Sequence, residues 1–296
     1  MTRRIAVSSF SVWEDLGGLR IPIQDERGDP AEIVLERPRR VDLLDFPRLA
    51  RERFDVTDIE ICQIQIRDSS PPAIDALATS LDDAGVRLLN LPIDADGAEA
   101  TRWLDIAGRL GASYCRIRAN FDWSAEAVAS SLTSFVRLAS RAKESGIELL
   151  VENQGGISED LDRYEDFLDL LIPLGVGLLL DTGNIEPLMS QSNARTGGEI
   201  APHRPWNTRE LDRVHRTVAR LAPRAVALHA KANGFDADGE HVPVDLRAIL
   251  TTVADSGFDG PVTVEYEGMV GDRWNNTART LELVRSVFSG TRLDSA

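Results

Sequence analysis

Four side chains able to do chemistry close largely apolar runs in the second half of the chain. Glu152 ends IELLVE, Asp181 ends VGLLLD, His229 ends AVALH and Glu265 ends PVTVE. A charged group placed behind several apolar residues is costly unless it is paired or bound to a cation. Taken singly, each has an ordinary explanation: a helix cap, a surface carboxylate, a hydrogen-bonded core histidine. Four of them at the ends of four consecutive runs is a different pattern. Three carboxylates brought together repel one another and raise each other's pKa values. A divalent cation removes that conflict, and Glu152, Asp181, His229 and Glu265 are its expected ligands. Hard oxygen donors with one imidazole suit Mn²⁺ first, then Mg²⁺ or Co²⁺, with Zn²⁺ also admitted.

Other residues are candidates for holding a ligand nearby. Only two of the 33 basic residues are lysines, Lys143 and Lys231. A lysine kept in a chain that otherwise uses arginine hints that an ammonium is needed. Lys143 reads as a last-turn helix charge. Lys231 lies two residues past His229, where it is expected either to stabilise an oxyanion or hold a phosphate or hydroxyl, or to pair with Asp181 or Glu265. The first half adds Trp13 after the first run, Glu60 and Gln63 on the second, Asn90 on the third, and Arg116 and Arg118 on the fourth. Alternation along a strand lets only one parity of each face inward. Trp123, His203 and Trp206 fall in loops, where they are expected either to form an apolar wall for a substrate or simply to pack the loops.

These residues need a scaffold that gathers strand ends. The chain repeats one unit eight times: an apolar run, a loop, then an amphipathic segment. The runs are Arg4–Ser9, Asp58–Ile66, Val86–Pro92, Ser113–Ile117, Ile147–Glu152, Val176–Asp181, Ala225–His229 and Pro261–Glu265. Several are continuously apolar, as strands covered on both faces are. Apolar residues at three- and four-residue spacings predict helices over Val41–Phe54, Ala73–Ala84, Ala98–Leu110, Ala125–Glu144, Glu159–Ile172, Thr208–Leu221, Leu246–Ser256 and Asn275–Phe288. Gly85, Gly111, Gly146, Gly175 and Gly257 are placed as C-terminal caps, and Ser124 and Ser158 as N-caps. Eight such units predict an α/β fold, a closed (β/α)₈ TIM barrel over residues 1–296 as a single domain, in preference to an eight-stranded doubly wound sheet. Two loops are long: Phe10–Arg40 after the first strand, where LRIPIQ and AEIVLE flank DERGDP as a hairpin would, and Ile185–Asn207 after the sixth. Both belong to the mouth and are expected to be substrate walls or lids.

Composition narrows the function classes. The formal charge is −15 and the pI near 4.8, so the chain's field repels nucleic acid. No run of 18 apolar residues occurs, so no membrane partner is expected. The N-terminus lacks the features of a secretory leader, and Cys62 and Cys115 are expected to be buried, reduced thiols, which together predict a cytoplasmic protein.

The motifs VEN, LLLDTGN, LHAKANGFDADGE and SGFDGPVTVEYEG resemble the xylose-isomerase-like barrel superfamily, in particular its sugar phosphate isomerase/epimerase group. The resemblance implies one divalent metal on Glu152, Asp181, His229 and Glu265. It also implies acid/base work by Glu152 and Glu265, with Glu267 a less direct alternative to Glu265. A small carbohydrate would be the substrate and proton abstraction α to a carbonyl, through an enediolate, the reaction. Family habit implies a homo-oligomer. The chain departs from the group at two places: Asn184 stands where ketose epimerases carry a substrate-binding His, which makes Asn184 a substrate-binding candidate, and Ala232 replaces the Asp that often follows the lysine. The alternative is a metal-dependent lyase or dehydratase acting on a keto-sugar, or the barrel subunit of a C-glycoside cleaving enzyme with a small partner subunit. A non-catalytic sugar-binding module is the weakest alternative, since binding alone gives no reason to flank a metal with two glutamates. A barrel endonuclease would need a histidine-rich trinuclear zinc site, whereas this chain has four histidines, of which His215 is predicted mid-helix.

Overall fold

Continuously apolar runs bury both faces when they pair side by side and are covered by helices, and here eight of them do so. The computed structural model describes residues 3–24, 30–95, 97–119, 121, 123–154, 156–185, 195–196, 199–200, 208–236, 238–268 and 271–288. The barrel strands are β1 (Ile5–Ser8), β4 (Asp58–Glu60), β5 (Arg87–Asn90), β6 (Tyr114–Ile117), β7 (Glu148–Glu152), β8 (Val176–Asp181), β11 (Ala225–Ala232) and β12 (Val262–Tyr266). They pair in parallel in the closed order β1-β12-β11-β8-β7-β6-β5-β4, with β1 bonded to both β12 and β4. The helices are α1 (Phe46–Phe54), α2 (Pro71–Ala84), α3 (Gly97–Arg109), α4 (Ala125–Glu144), α5 (Leu161–Leu171), α6 (Thr208–Leu221), α7 (Leu246–Asp255) and α8 (Arg273–Phe288). Each packs an apolar stripe inward, as α6 does with Val214, Val218 and Leu221. The expected (β/α)₈ barrel is therefore the architecture. No described helix is long and apolar enough to cross a membrane.

Local chemistry moves several expected boundaries. The run Asp58–Ile66 leaves the sheet after Glu60 and forms a 3₁₀ turn over Gln63–Gln65. Ser9 diverts it: its hydroxyl accepts from the Cys62 amide at 3.1 Å, and Gln65 Nε2 donates to the Ser9 carbonyl at 3.1 Å. The helix expected from Val41 starts at Phe46, because the Asp42 carboxylate accepts from the Leu44 amide and holds a 3₁₀ turn first. Ser124 is an N-cap as expected, but Asp160, not Ser158, caps α5 by accepting from the Arg163 amide at 3.2 Å. The five expected C-cap glycines all have positive φ, between 61° and 83°. Cys62 and Cys115 are free and buried.

The loop after β1 does contain the expected antiparallel hairpin, β2 (Gly18–Gln24) with β3 (Pro30–Glu36). Its root is Gly18, with φ +94° and a position where a Cβ would stand 1.9 Å from the Leu35 carbonyl oxygen, so only glycine fits. Of the loop after the sixth barrel strand, the described parts are residues 182–185 and a two-residue antiparallel pair, β9 (Arg195–Thr196) and β10 (Glu199–Ile200).

Candidate metal centre

The C-terminal halves of β7, β8, β11 and β12 lie side by side and carry Glu152, Asp181, His229 and Glu265. Glu152, Asp181, His229 and Glu265 are all at most 5% exposed. One ligand atom from each of Glu152, Asp181 and His229 lies within 4.8 Å of the others. His229 Nδ1 faces Glu152 Oε1 at 3.6 Å, Asp181 Oδ2 at 3.5 Å and Glu265 Oε2 at 3.4 Å. Those separations are long for hydrogen bonds, and Nδ1 makes none. They lie at or just beyond the upper end of the roughly 3.0–3.5 Å spacing expected between donors that share a cation at about 2.1 Å. Glu152, Asp181 and His229 thus group as three donors able to hold a dication, with Glu265 beside His229 but outside that group of three.

Supporting contacts fix Asp181, Glu152 and Glu60. Asp181 Oδ1 accepts from the amides of Gly183 (2.7 Å) and Asn184 (3.2 Å), which leaves Oδ2 toward His229. Asn153 ties β7 to β8 by accepting from the Asp181 amide at 2.6 Å and donating to its carbonyl at 2.9 Å. Gly183 lies flat on the Lys231 stem, where a Cβ would stand 2.3 Å from Cδ. Arg116, buried on β6, reaches Glu152 Oε2 with Nε at 3.0 Å and Asp94 Oδ1 with Nη1 at 2.6 Å. Across the barrel, Glu60 Oε2 lies 2.8 Å from His229 Nε2 and accepts from Asn90 Nδ2 at 2.6 Å. A carboxylate on the far nitrogen of a metal-binding histidine fixes the ring's orientation and tautomer. Glu60→Gln is expected to weaken divalent-metal affinity roughly 10–100-fold, read by calorimetric titration with Mn²⁺, while leaving the fold intact. Unchanged affinity would remove this positioning role.

The electrostatics follow from burial and these partners. Burial would raise Glu152, but Arg116 foremost, then His229 and Lys231, hold it well below the usual carboxylate range. Burial would also raise Glu60, yet the facing imidazole keeps it below its ordinary value. Glu265 has no comparable partner: burial pushes it up to about 8, with Lys231 pulling down and Glu267 pushing up. Burial would lower His229, but Glu60 and the other carboxylates drive it well above its ordinary value.

The remaining candidates divide. Lys231 is at the site, its Nζ 2.9 Å from Asp181 Oδ2, 3.0 Å from Glu267 Oε1 and 3.1 Å from Asn184 Oδ1, so both the expected location and the expected ion pair hold. Asn184 donates to Glu152 Oε1 at 3.1 Å and lines the cavity. Arg118 lines it too, with Nε donating to Gln154 Oε1 at 2.9 Å. Trp13 does not: it is 2% exposed, between the guanidinium groups of Arg37 and Arg273 at 5.4 and 4.9 Å. It anchors the loop that carries the hairpin. His203 and Trp206 lie outside the described residues. Neither Asp94 nor Gln154 is singled out by the sequence; Asp94 stands in the loop after β5, two residues beyond the expected run Val86–Pro92.

A family model described as "Xylose isomerase-like TIM barrel" matches residues 50–287. No curated protein matches the chain. Among solved structures, a xylose isomerase-like TIM barrel protein from Mycobacterium smegmatis in complex with magnesium is 17% identical, with a TM-score of 0.61 over 97% of this chain and 98% of that one. A D-allulose 3-epimerase from Methylomonas sp. is 16% identical, with a TM-score of 0.60 over 97% and 99%. An L-ribulose 3-epimerase is 13% identical, with a TM-score of 0.61 over the whole of both chains. At these identities the likeness is one of fold.

Proposed function

The chain belongs to the xylose isomerase-like TIM barrel family, and from that premise we propose that it is a divalent-metal-dependent isomerase or epimerase of a keto-sugar. The observation that carries this reading is the aim of His229: Nε2 is held by Glu60, and Nδ1 faces three carboxylate oxygens at 3.4–3.6 Å. Glu152, Asp181, His229 and Glu265 would hold the cation, and their hard donors favour Mn²⁺. When bound, it would supply a Lewis acid for the substrate carbonyl.

The protein's own residues do the rest. In the barrel order β12-β11-β8-β7, Glu265 and Glu152 stand at the two ends and Asp181 and His229 between them. A sugar lying over the middle pair meets one glutamate from each side. One carboxylate oxygen takes the α-proton, and the C–H electron pair moves toward the carbonyl oxygen as an enediolate. Lys231 Nζ, already shared among Asp181, Glu267 and Asn184, supplies positive charge to the floor on which that oxygen would develop. In an epimerase the second glutamate returns a proton to the same carbon from the opposite face; in an isomerase the proton goes to the adjacent carbon. Arg116 and Asn184 hold Glu152 in place throughout.

The test is incubation of the Mn²⁺-loaded protein with ketoses and 3-keto-glycosides in D₂O. Deuterium is expected at the α-carbon, lost on chelation and restored by Mn²⁺. No exchange with any of them would end the reading. Deuterium accompanied by loss of water or an aglycone would favour the lyase alternative, for which the hairpin over the cavity, suited to a larger substrate, argues.

A further inference from the structure

One wall of the cavity does not match its floor. The floor is charged, with Glu60, Glu152, Glu265, Arg116, His229 and Lys231. Opposite it, Phe10 and the hairpin residues Ile21, Ile33 and Leu35 line the same space of about 530 Å³. Ile21 and Ile33 are register partners, so their side chains share one face of the hairpin. Arg20, on the opposite face, lies 3.6 Å from both Glu32 and Glu36. Ile33 remains 42% exposed. An apolar face held over a carboxylate-rich floor gains nothing from that floor; it contributes only when apolar matter lies against it.

The described cations of the cavity wall point the same way. Arg116 and Arg118 lie 2.6 and 3.5 Å from Asp94, and Lys231 lies 2.9 Å from Asp181 and 3.0 Å from Glu267. Each already faces a carboxylate, so none of these described side chains is held ready for a phosphate. The hairpin is also firmly rooted: the Gly18 amide donates to the Trp13 carbonyl at 3.0 Å, and Arg67 Nη2 donates to the Gly17 carbonyl at 2.6 Å.

We propose that the hairpin is a substrate subsite: the cavity takes an uncharged keto-sugar bearing an aromatic or alkyl substituent, the sugar over the charged floor and the apolar arm beneath Ile21, Ile33 and Leu35. This rests on the keto-sugar reading of the floor and names the class of sugar it takes. The test is calorimetric titration of the Mn²⁺-loaded full chain with the four D-2-ketohexoses, their 6-O-benzyl ethers and their 6-phosphates. A benzyl ether is expected to bind at least about tenfold more tightly than its parent sugar. The Ile21→Thr/Ile33→Thr double variant keeps β-branched residues in the strands and is expected to erase that advantage. Ile33→Trp, which fills the subsite while keeping it apolar, is expected to reduce it. Val34→Thr, on the outward face, is expected to preserve it. Benzyl ethers that bind no more tightly than the parent sugars, or 6-phosphates that bind most tightly, would overturn the proposal. Tight benzyl-ether binding without deuterium exchange would leave the subsite standing and remove the isomerase reading. Exchange without a benzyl preference would do the reverse.

Discussion

Glu265→Gln is expected to slow α-proton exchange roughly 10²–10⁴-fold, the range a positioned general acid or base supplies. The amide keeps an oxygen in the ligand set and nearly the same shape, so the loss should fall on kcat more than on metal affinity. It removes a carboxylate that can take up and return a proton; without metal, burial pushes that carboxylate up to about 8. Glu152→Gln should be as damaging but for an additional reason. Arg116 Nε lies 3.0 Å from Glu152 Oε2, and its guanidinium is buried. Without that carboxylate Asp94 alone among the described residues still pairs with it, and breaking a buried ion pair costs roughly 3–5 kcal/mol. The two variants therefore separate: Glu265→Gln should unfold near the wild-type temperature, and Glu152→Gln well below it. Single-turnover exchange in D₂O, metal titration and a thermal scan measure the three quantities. Glu265→Gln retaining exchange within a few-fold of wild type would remove its acid/base role.

How far the site could be read from sequence depended on whether a residue's reason for being there was local. Glu152, Asp181, His229 and Glu265 each follow a run of residues that must be buried, so a polar side chain there signals a purpose. Asn153, Thr182 and Gly183 come with them, because the tie between neighbouring strands and the close approach of the Lys231 stem act at the same turns. Glu60 was harder. Its partner His229 is 169 residues away across the barrel, and no spacing encodes that contact. Asp94 sits outside any strand and faces Arg116 and Arg118, which come from another unit. The same limit explains the strand that ended early: the alternation of Asp58–Ile66 is genuine, but a side chain from another unit, Ser9, takes up the amide the sheet would have used. Trp13 shows the converse error. An aromatic after a barrel strand suggests a ligand wall, yet two arginines enclose it and the shorter Ile21 and Ile33 reach the cavity instead.

Adding metal is expected to invert the pH dependence of stability between about pH 5 and 8. In the metal-free protein Glu265 keeps its proton to about 8, whereas the unfolded chain loses it near the ordinary 4.5. The folded state therefore binds more protons across that window, and stability falls as pH rises, by about 1.4 kcal/mol per pH unit for each proton of difference. His229 acts in the same direction. Its folded pKa is raised well above 6.5, so its contribution is complete below that value and is lost as pH climbs through the folded one. Glu152 and Glu60, held low, oppose this only on the acid side: their contribution is present above the ordinary carboxylate pKa and is lost as pH falls through their folded values. A cation needs the His229 ring nitrogen and the Glu265 carboxylate without their protons, so its affinity rises over the same window and stabilises the fold more at pH 8 than at pH 5. Metal uptake near pH 7 should then release roughly two protons per ion. Thermal scans from pH 5 to 8 with EDTA or Mn²⁺ read the slopes, and calorimetry in buffers of different ionisation enthalpy counts the protons. Parallel slopes, or uptake without proton release, would mean that the cation does not bind at His229 and Glu265.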